Sequence, residues 1–514
     1  MNKYAILLLL LILITPPVLA QPSIQWQRTL GGTLYESSSS IVQTTDKGYI
    51  TAGFAESVDG DVVGSHGNVD FWVVKMDSAG AVQWKKAYGG SGLDWPYSII
   101  QTTDGEYVAV GYTESNDGDV LGNHGDKDIW VLKLNNVGVI QWQKCLGGSG
   151  WDEASSVKQT DDGGYILAGR TSSTDGDVAG FHGYLDYWVV KLDSTGVLEW
   201  QKCLGGTGLD IGYAIVQTND GGYIVTGESD SNDGDVKYNH GNSDYWVVKL
   251  NFEGKIEWEK SLGGIGIDWG NDIRQTREGG YIVIGQARST GGDVTGNHGG
   301  YDCWVVKLTE IGEIEWEKAL GGSNGDVGLS IQQTLDDGYI LVGVTQSIDG
   351  DVIGNHGNLD AWVVKLTVEG EIQWQRALGG TGPEIGFSIQ QTDDKGYIMS
   401  GDAWSNDGDV SGVQGKTDFW IVKLSPESSP TTTAPSVPLE IFPNPGSGII
   451  TLSLPDESSS LTLSIADMLG RELSRQTIAP GDPVDTSTLV NGFYLLTATT
   501  PSGKVFSGKF RKQE

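Results

Sequence analysis

Cysteine is almost missing from this chain: three residues in 514, at positions 145, 203 and 303. Cys145 and Cys203 occupy the same position of neighbouring repeats and Cys303 lies in a different strand, so no local disulfide framework is available to hold the fold. A helical period is missing too. No stretch of the repeated unit brings apolar residues back at three and four positions, which excludes bundles and helical solenoids. Positive charge is scarce: Lys and Arg number 33 against 67 Asp and Glu, for a formal net charge of −34. Nearly all of that excess precedes residue 440, and it makes nucleic acid and anionic membrane surfaces poor partners. Long apolar runs are confined to the N-terminus, where Ala5 to Ile14 follows Met1-Asn2-Lys3 and precedes Val18-Leu19-Ala20. That run is too short to span a bilayer and has the layout of a secretory signal peptide, residues 1–20, cut before Gln21. The mature chain is expected to have no transmembrane segment.

What the chain does have is a strict repeat. Gly-Gly follows a Trp by five residues seven times, after Trp26, Trp84, Trp142, Trp200, Trp258, Trp316 and Trp374, in steps of 58 residues. Such periodicity means one supersecondary unit stacked on copies of itself. In the second copy Tyr97 to Thr102 is a β-branched run ended by Asp104-Gly105, and Tyr107 to Gly111 follows at hairpin spacing. These are strands a and b. A polar stretch from Ser115 to Gly125 leads to strand c, Ile129 to Leu134, then to a turn at Asn135-Asn136-Val137-Gly138 and strand d, Val139 to Trp142. Fourteen of the 18 Trp fall on two repeat positions, in strands c and d, and a Tyr recurs in strand b. Each such ring buries about 150–250 Å², enough to glue one unit to the next.

Four antiparallel strands per repeat predict an all-β, seven-bladed β-propeller over residues 21–425. The ends of the array predict how it closes. Ser23-Ile24-Gln25-Trp26 is a lone strand d, and the last repeat stops at strand c, Trp420 to Leu424, so the N-terminal strand should complete the seventh blade. The order strand c, turn, strand d, Trp resembles the tryptophan-docking and quinoprotein-like propellers, a resemblance of architecture only.

Residues 426–438 form a Ser/Thr/Pro-rich linker, and a different kind of sequence follows over 439–514. Ile441-Phe442-Pro443-Asn444-Pro445, then Leu461 to Arg471, then Asp485 to Tyr494, and Lys509-Phe510 resemble, in order, the type A C-terminal sorting domain of the type IX secretion system. The resemblance implies an immunoglobulin-like β-sandwich that engages the type IX machinery of a Gram-negative cell, with the passenger secreted or placed on the outer cell surface. Alternating apolar strands with Gly, Asn and Pro turns read as the same sandwich.

The acids are patterned. Each b-to-c loop carries Asp-Gly-Asp-Val: Asp59 and Asp61, Asp117 and Asp119, Asp175 and Asp177, Asp233 and Asp235, Asp349 and Asp351, Asp407 and Asp409, with Gly291 replacing the first Asp in copy five. Nine residues on, an Asp precedes strand c, as at Asp70 and Asp244. All six His lie in this loop, with Gln414 in the seventh copy, and the d-to-a loop adds one acid per copy, from Glu36 and Asp94 to Glu384. Since both loops emerge at one end of a four-stranded unit, that end should carry a sevenfold acidic belt. Three readings stay open: Asp, His and Gly bracing a long loop; paired Asp in a Gly turn offering hard oxygen ligands to Ca²⁺; and a transition-metal site, against which one imidazole per copy spreads the ligands apart.

Four Trp break the repeat, Trp95, Trp151 and Trp269 beside the d-to-a acid and Trp404 before the b-to-c loop. They read either as packing or as a platform for the apolar face of a sugar beside Asp acceptors. No Gly-x-Ser-x-Gly elbow or His-Glu-x-x-His helix occurs, and nearly every polar residue has six equivalents, so no catalytic residue stands out. The expectation is a monomeric, non-enzymatic binding or adhesion module for a glycan or protein. A polysaccharide hydrolase or lyase, or a structural surface protein, are the alternatives.

Overall fold

The computed structural model describes residues 21–427, 437–453, 461–467, 472–479, 481–500 and 505–513. The expected signal peptide, most of the expected linker and Met468-Leu469-Gly470-Arg471 of the tail motif lie outside the described residues. Regular structure in the described residues is entirely β. Gln21–Glu427 form one compact unit, and the tail belongs to another.

In the first unit each copy is an antiparallel sheet in the order a, b, c, d. Copy two is Asp94–Gln101, Tyr107–Thr113, Asp128–Leu134 and Ile140–Leu146. Six sheets are built this way, from copies one to six. The seventh takes Glu384–Gln391, Tyr397–Ala403 and Asp418–Leu424 from the end of the array and Ile24–Leu30 from its beginning. The pairing runs from Ile24 opposite Leu424 to Leu30 opposite Phe419, and Ser425 donates its amide to the Ser23 carbonyl at 2.8 Å. Strand a starts earlier than the sequence suggests, so the acid expected in the d-to-a loop is the strand's first residue.

Strands b and c are buried along nearly their whole length because both faces of every sheet are covered by neighbouring sheets. The apolar core is accordingly divided among the seams. One cluster joins Val108, Val110 and Val131 of copy two to Val157, Leu167 and Trp188 of copy three. Another joins Leu30, Phe419 and Ile421 of the seventh sheet to Ile41, Tyr49 and Trp72 of the first. The strand-d Trp of each sheet meets the strand-b Tyr of the next at a steep angle, from Trp84 and Tyr107 (6.1 Å between centroids, 58° between planes) to Trp374 and Tyr397 (5.7 Å, 61°), with Trp26 and Tyr49 (5.7 Å, 62°) joining the seventh sheet to the first. That Trp also lies on the c-to-d turn of the next copy, where a Cβ on Gly138, at φ +70°, would come within 2.9 Å of the Trp84 ring. Gly therefore serves both the left-handed backbone and the close approach.

Each seam carries one further bond of the same kind. The Gln that ends strand a accepts an amide N–H from the a-to-b turn of the preceding copy, at 2.8–2.9 Å in all seven cases, including Asp393 of copy seven to Gln43 of copy one. A strand-c lysine in each sheet, such as Lys191, is buried and pairs with an acid of the same turn, Asp162 at 2.9 Å. The chain stays anchored three residues past strand c, since Glu427 accepts from Tyr397 Oη at 2.6 Å and from Trp374 Nε1 at 2.9 Å.

The tail has a five-stranded sheet, in the order Val437–Pro438, Val505–Lys512, Gly492–Thr499, Leu461–Asp467, Glu472–Ile478, and a three-stranded one of Glu440–Phe442, Ile449–Ser453 and Pro483–Asp485. One apolar core, with Ile441, Ile450, Leu463, Leu496 and Phe510, draws on both sheets. The motif residue Asn444 ties the Pro-Asn-Pro turn to the last strand, donating to the Lys509 carbonyl at 2.6 Å and accepting from the Arg511 amide at 2.9 Å.

Deleting residues 21–28 removes most of the fourth strand of the seventh sheet and leaves the outer edge of Trp420's strand without its hydrogen-bonding partner. The deletion is expected to cost more than about 4 kcal/mol, read as a collapse of the thermal melting temperature of the 21–427 unit. A deletion that melts like the parent would refute the role given to this strand.

Candidate functional site

The b-to-c and d-to-a connections do meet at one end. The residue before strand c pairs in parallel with the residue before the next strand a, as Val69 with Leu93 and Lys127 with Trp151, and Asp94 donates its amide to the Val69 carbonyl at 2.9 Å. The acid that starts strand a is wholly buried and acts as an acceptor hub. Asp94 takes the Gly90 amide at 2.7 Å, the Ser115 hydroxyl at 2.8 Å and the Thr113 hydroxyl. Glu36 and Glu384 reach the equivalent amides through a longer side chain. Burial raises the carboxyls of Asp94, Asp152, Asp210 and Glu384 above the usual range.

A second buried carboxylate faces each of these. Asp70, Asp128, Asp186, Asp244, Asp302, Asp360 and Asp418 begin the c strands, and the first Gly of each Gly-Gly pair sits between the two acids. A Cβ on Gly89 would lie 2.5 Å from both Asp70 Oδ1 and Asp94 Oδ2, so only glycine fits. Oδ2 of the strand-c Asp accepts the amide of the His four residues before it, and in five copies the imidazole Nδ1 lies 2.6–2.7 Å from the same oxygen. Oδ1 is buried without a hydrogen-bond partner in all seven copies. Burial, with the neighbouring carboxylate adding to it, pushes Asp128 and Asp186 up to about 6. Asp418 also rises to about 6, from burial first and then Glu36.

The Asp-Gly-Asp residues proposed for Ca²⁺ face amides. The first carboxylate accepts the N–H of the residue after Gly-Gly: Asp59 from Thr33 (2.9 Å), Asp117 from Ser91 (2.7 Å), Asp175 from Ser149 (2.7 Å), Asp233 from Thr207, Asp349 from Ser323 and Asp407 from Thr381 (2.8 Å each). Copy five changes both ends together. Gly291 replaces the Asp, and Ile265, 81% exposed, replaces the Ser or Thr. The glycine of the motif is at φ +64° in copy two, and its Cβ would lie 2.3 Å from the Gly89 carbonyl. The second acids, Asp61, Asp119, Asp177, Asp235 and Asp351, approach the first Gly-Gly amide at 3.2–3.4 Å, while Asp409 pairs with Arg376 at 3.4 Å. Some of these also bridge copies: Gln414 Nε2 donates to Asp61 at 2.8 Å, and His66 Nε2 lies 3.9 Å from Asp119. Among the described residues no group of three or more His, Cys, Asp or Glu side chains is arranged to hold a metal ion.

The four unpaired Trp lie at this end but are not brought together. Trp95 is stacked on Phe54 of the preceding copy, 3.8 Å between centroids. Trp151 has Arg170 over it at 4.0 Å and Lys127 at 4.5 Å, and its Nε1 donates to Glu153 at 2.9 Å. Trp269 is partly buried, with Nε1 enclosed. Trp404 is 46% exposed, and Tyr35 meets it edge-on, 5.9 Å between centroids. Lys416 lies over Tyr35 at 4.3 Å and also near Glu56, whose carboxyl burial pushes up against the pull of that lysine.

Comparison of the copies could have located what the motif search missed. The sixth residue of strand b runs Phe54, Tyr112, Arg170, Glu228, Gln286, Val344, Asp402, while its neighbours in the strand barely change. Arg170 pairs with Glu153 at 2.9 Å, Glu228 accepts from Tyr213 Oη at 2.6 Å, and burial pushes Asp402 up to about 7.

Residues 440–510 match the family model of the secretion system C-terminal sorting domain. The protein is therefore a type IX cargo, secreted to the cell surface or the extracellular space, and among the described residues no helix is long and apolar enough to cross a membrane. No curated protein matches the chain. Among solved structures it is similar to the extracellular domain of BT4673 from B. thetaiotaomicron, at 10% identity over 96% of this chain and 58% of that one, TM-score 0.42. It is similar too to Sqt1 from Chaetomium thermophilum, at 12% identity over 79% of this chain and 100% of that one, TM-score 0.40. Puromycin hydrolase is a third, at 9% identity over 90% of this chain and 58% of that one, TM-score 0.41. The chain thus spans little more than half the length of the first and third.

Two outcomes follow from the loop chemistry. Asp117→Asn keeps an oxygen for the Ser91 amide and should melt close to the parent, whereas Asp117→Ala should melt lower, with neither value moved by a chelator. A calcium site would instead weaken in both variants and respond to chelation. The strand-c acids predict a pH effect. A carboxyl with folded pKa near 6 and unfolded pKa near 4 holds its proton more tightly when folded, so stability falls as pH rises from about 4 to 6. The 21–427 unit should melt higher at pH 5 than at pH 7.5. Asp418→Asn, which sets an amide donor toward Glu36 in place of the unpartnered oxygen, should raise the pH 7.5 value; a lower value would contradict the pairing.

Proposed function

We propose that this protein is an extracellular binding module, a closed seven-bladed β-propeller carried outside by its immunoglobulin-like sorting domain, and that it takes a glycan at the loop end beside Trp404. The observation that carries the reading is the pattern of difference among the copies. Framework positions are nearly invariant from copy to copy, whereas the residues flanking the loop ends differ in every copy and supply Arg, Glu, Lys, Tyr and Trp. Seven equal units make a scaffold, and unequal residues at one end make a single site on it. Closure is supported by the strand pairing of Ile24–Leu30 and by the seventh Gln bond.

Trp404 is favoured over Trp95, Trp151 and Trp269 because it is exposed while they are partly buried. A sugar ring presents an apolar face to an aromatic and hydroxyls to polar neighbours, and Glu56, Lys416 and Tyr35 stand beside Trp404. Binding is favoured over catalysis because the buried carboxylates are committed to amides and hydroxyls of the scaffold. Asp402, pushed up to about 7 by burial, lies within strand b, and the strand-c acids that leave one oxygen without a donor are wholly buried.

A glycan array probed with residues 21–427 should give a defined set of ligands, and Trp404→Ala should lose at least tenfold in affinity with an unchanged melting temperature. Absence of any glycan binding, or turnover of a bound polysaccharide, would overturn the reading.

A further inference from the structure

At the opposite end of strand a, the seventh residue of the strand runs Val42, Ile100, Lys158, Val216, Arg274, Gln332, Gln390 through the copies. Two copies place a charge there, and both charges are positive, in a chain with twice as many acids as bases. The two cations are treated differently. Arg274 has its own carboxylate, Asp272, at 2.7 Å, at a position that is Ser or Ala in every other copy. The other oxygen of Asp272 accepts the Ile331 amide at 3.0 Å, so that pair is built into the seam. Copy three has Ser156 at the Asp272 position, and among the described residues Lys158 makes neither a hydrogen bond nor an ion pair.

A cavity of about 270 Å³ opens beside Lys158, between strand a of copy three and strand a of copy four, with Val216, Gln217 and Thr218 on its wall. Its one carboxylate, Asp161, belongs to an exposed turn and makes no ion pair with Lys158. Gln217 accepts the Asp161 amide through Oε1. The equivalent Gln101, Gln159 and Gln275 donate their side-chain N–H to the carbonyl of a turn glycine, whereas Nε2 of Gln217 has no such partner among the described residues. Burial, with Arg274 adding to it and the more distant Asp272 working against both, lowers the Lys158 ammonium to about 8.

We infer that this cavity binds a small oxyanion, a carboxylate or an inorganic phosphate, held by the Lys158 ammonium and the Gln217 amide. The cavity admits a few heavy atoms and no polymer, and in a protein of this net charge an anion gains a foothold only where cations stand unpaired. The site lies at the other end of strand a from Trp404 and does not depend on what binds there.

The test is thermal melting of the mature protein in phosphate or succinate, with ionic strength matched by sodium chloride. Either anion should raise the melting temperature, because a ligand bound to the folded state alone stabilises it. A response to phosphate alone assigns an inorganic anion, and one to succinate alone a carboxylate. Lys158→Gln, which copies the residue of copies six and seven, should fold, melt at least as high as the parent in chloride and lose the response, while Trp404→Ala keeps it. A parent that responds to neither anion, or a Lys158→Gln protein that responds as strongly, would overturn the site.

Discussion

Burial of both faces of a sheet by its neighbours is the constraint on which everything else in the first unit depends. A four-stranded sheet with Val, Ile, Trp and Tyr on both sides has no stable existence in water, and each copy finds its cover in the copies before and after it. The same constraint applies to the first and last copies, and it is met because Ile24–Leu30 crosses to the end of the array and Trp26 then meets Tyr49 as Trp84 meets Tyr107. Each strand-d Trp removes about 150–250 Å² from water, about 4–6 kcal/mol of gross hydrophobic free energy against the entropy of ordering it. No disulfide contributes, since Cys145, Cys203 and Cys303 are buried free thiols.

Packing of this density leaves polar groups that must be satisfied locally, and that is the work of many of the acids. The connections at the loop end consist of glycine-rich backbone with exposed amides, and short carboxylate side chains are the compact acceptors that reach two or three amides at once. Asp94 bridges the Gly90 amide to hydroxyls of strand b and the loop after it, and Asp117 fastens the long loop to the Ser91 amide. The charge of −34 is thus in part a by-product of loop bracing. The paired acids around Gly89 mark where bracing goes furthest, with two carboxylates pressed against one glycine and one oxygen of each pair left without a donor.

Function enters where the copies stop being equal. A side chain repeated seven times serves the seam, because every seam has the same shape. A side chain present once answers no demand that all the seams share. Trp404, the Trp151 cluster with Arg170 and Lys127, and the Lys158 and Arg274 pair are all of this second kind, and they lie at both ends of strand a.

Strand order, copy number and the origin of the missing strand were all legible in the residues, because a 58-residue period and period-two strands depend on local chemistry alone. The sorting tail was legible too, since Pro443-Asn444-Pro445 and Lys509-Phe510 act through one turn and one strand that the motif spans. The loop aspartates were placed at the right end, but what their carboxylates face was not legible. Asp117 and Ser91 stand 26 residues apart and Asp70 and Asp94 belong to different sheets, so their meeting is a product of the seam. The same holds for the tryptophans. Sequence set Trp95, Trp151, Trp269 and Trp404 apart as equals, and only the packed sheets decided that Phe54, Arg170 and Lys127 cover two of them while Trp404 stays exposed, because exposure is a property of what lies across the seam and no residue carries it alone.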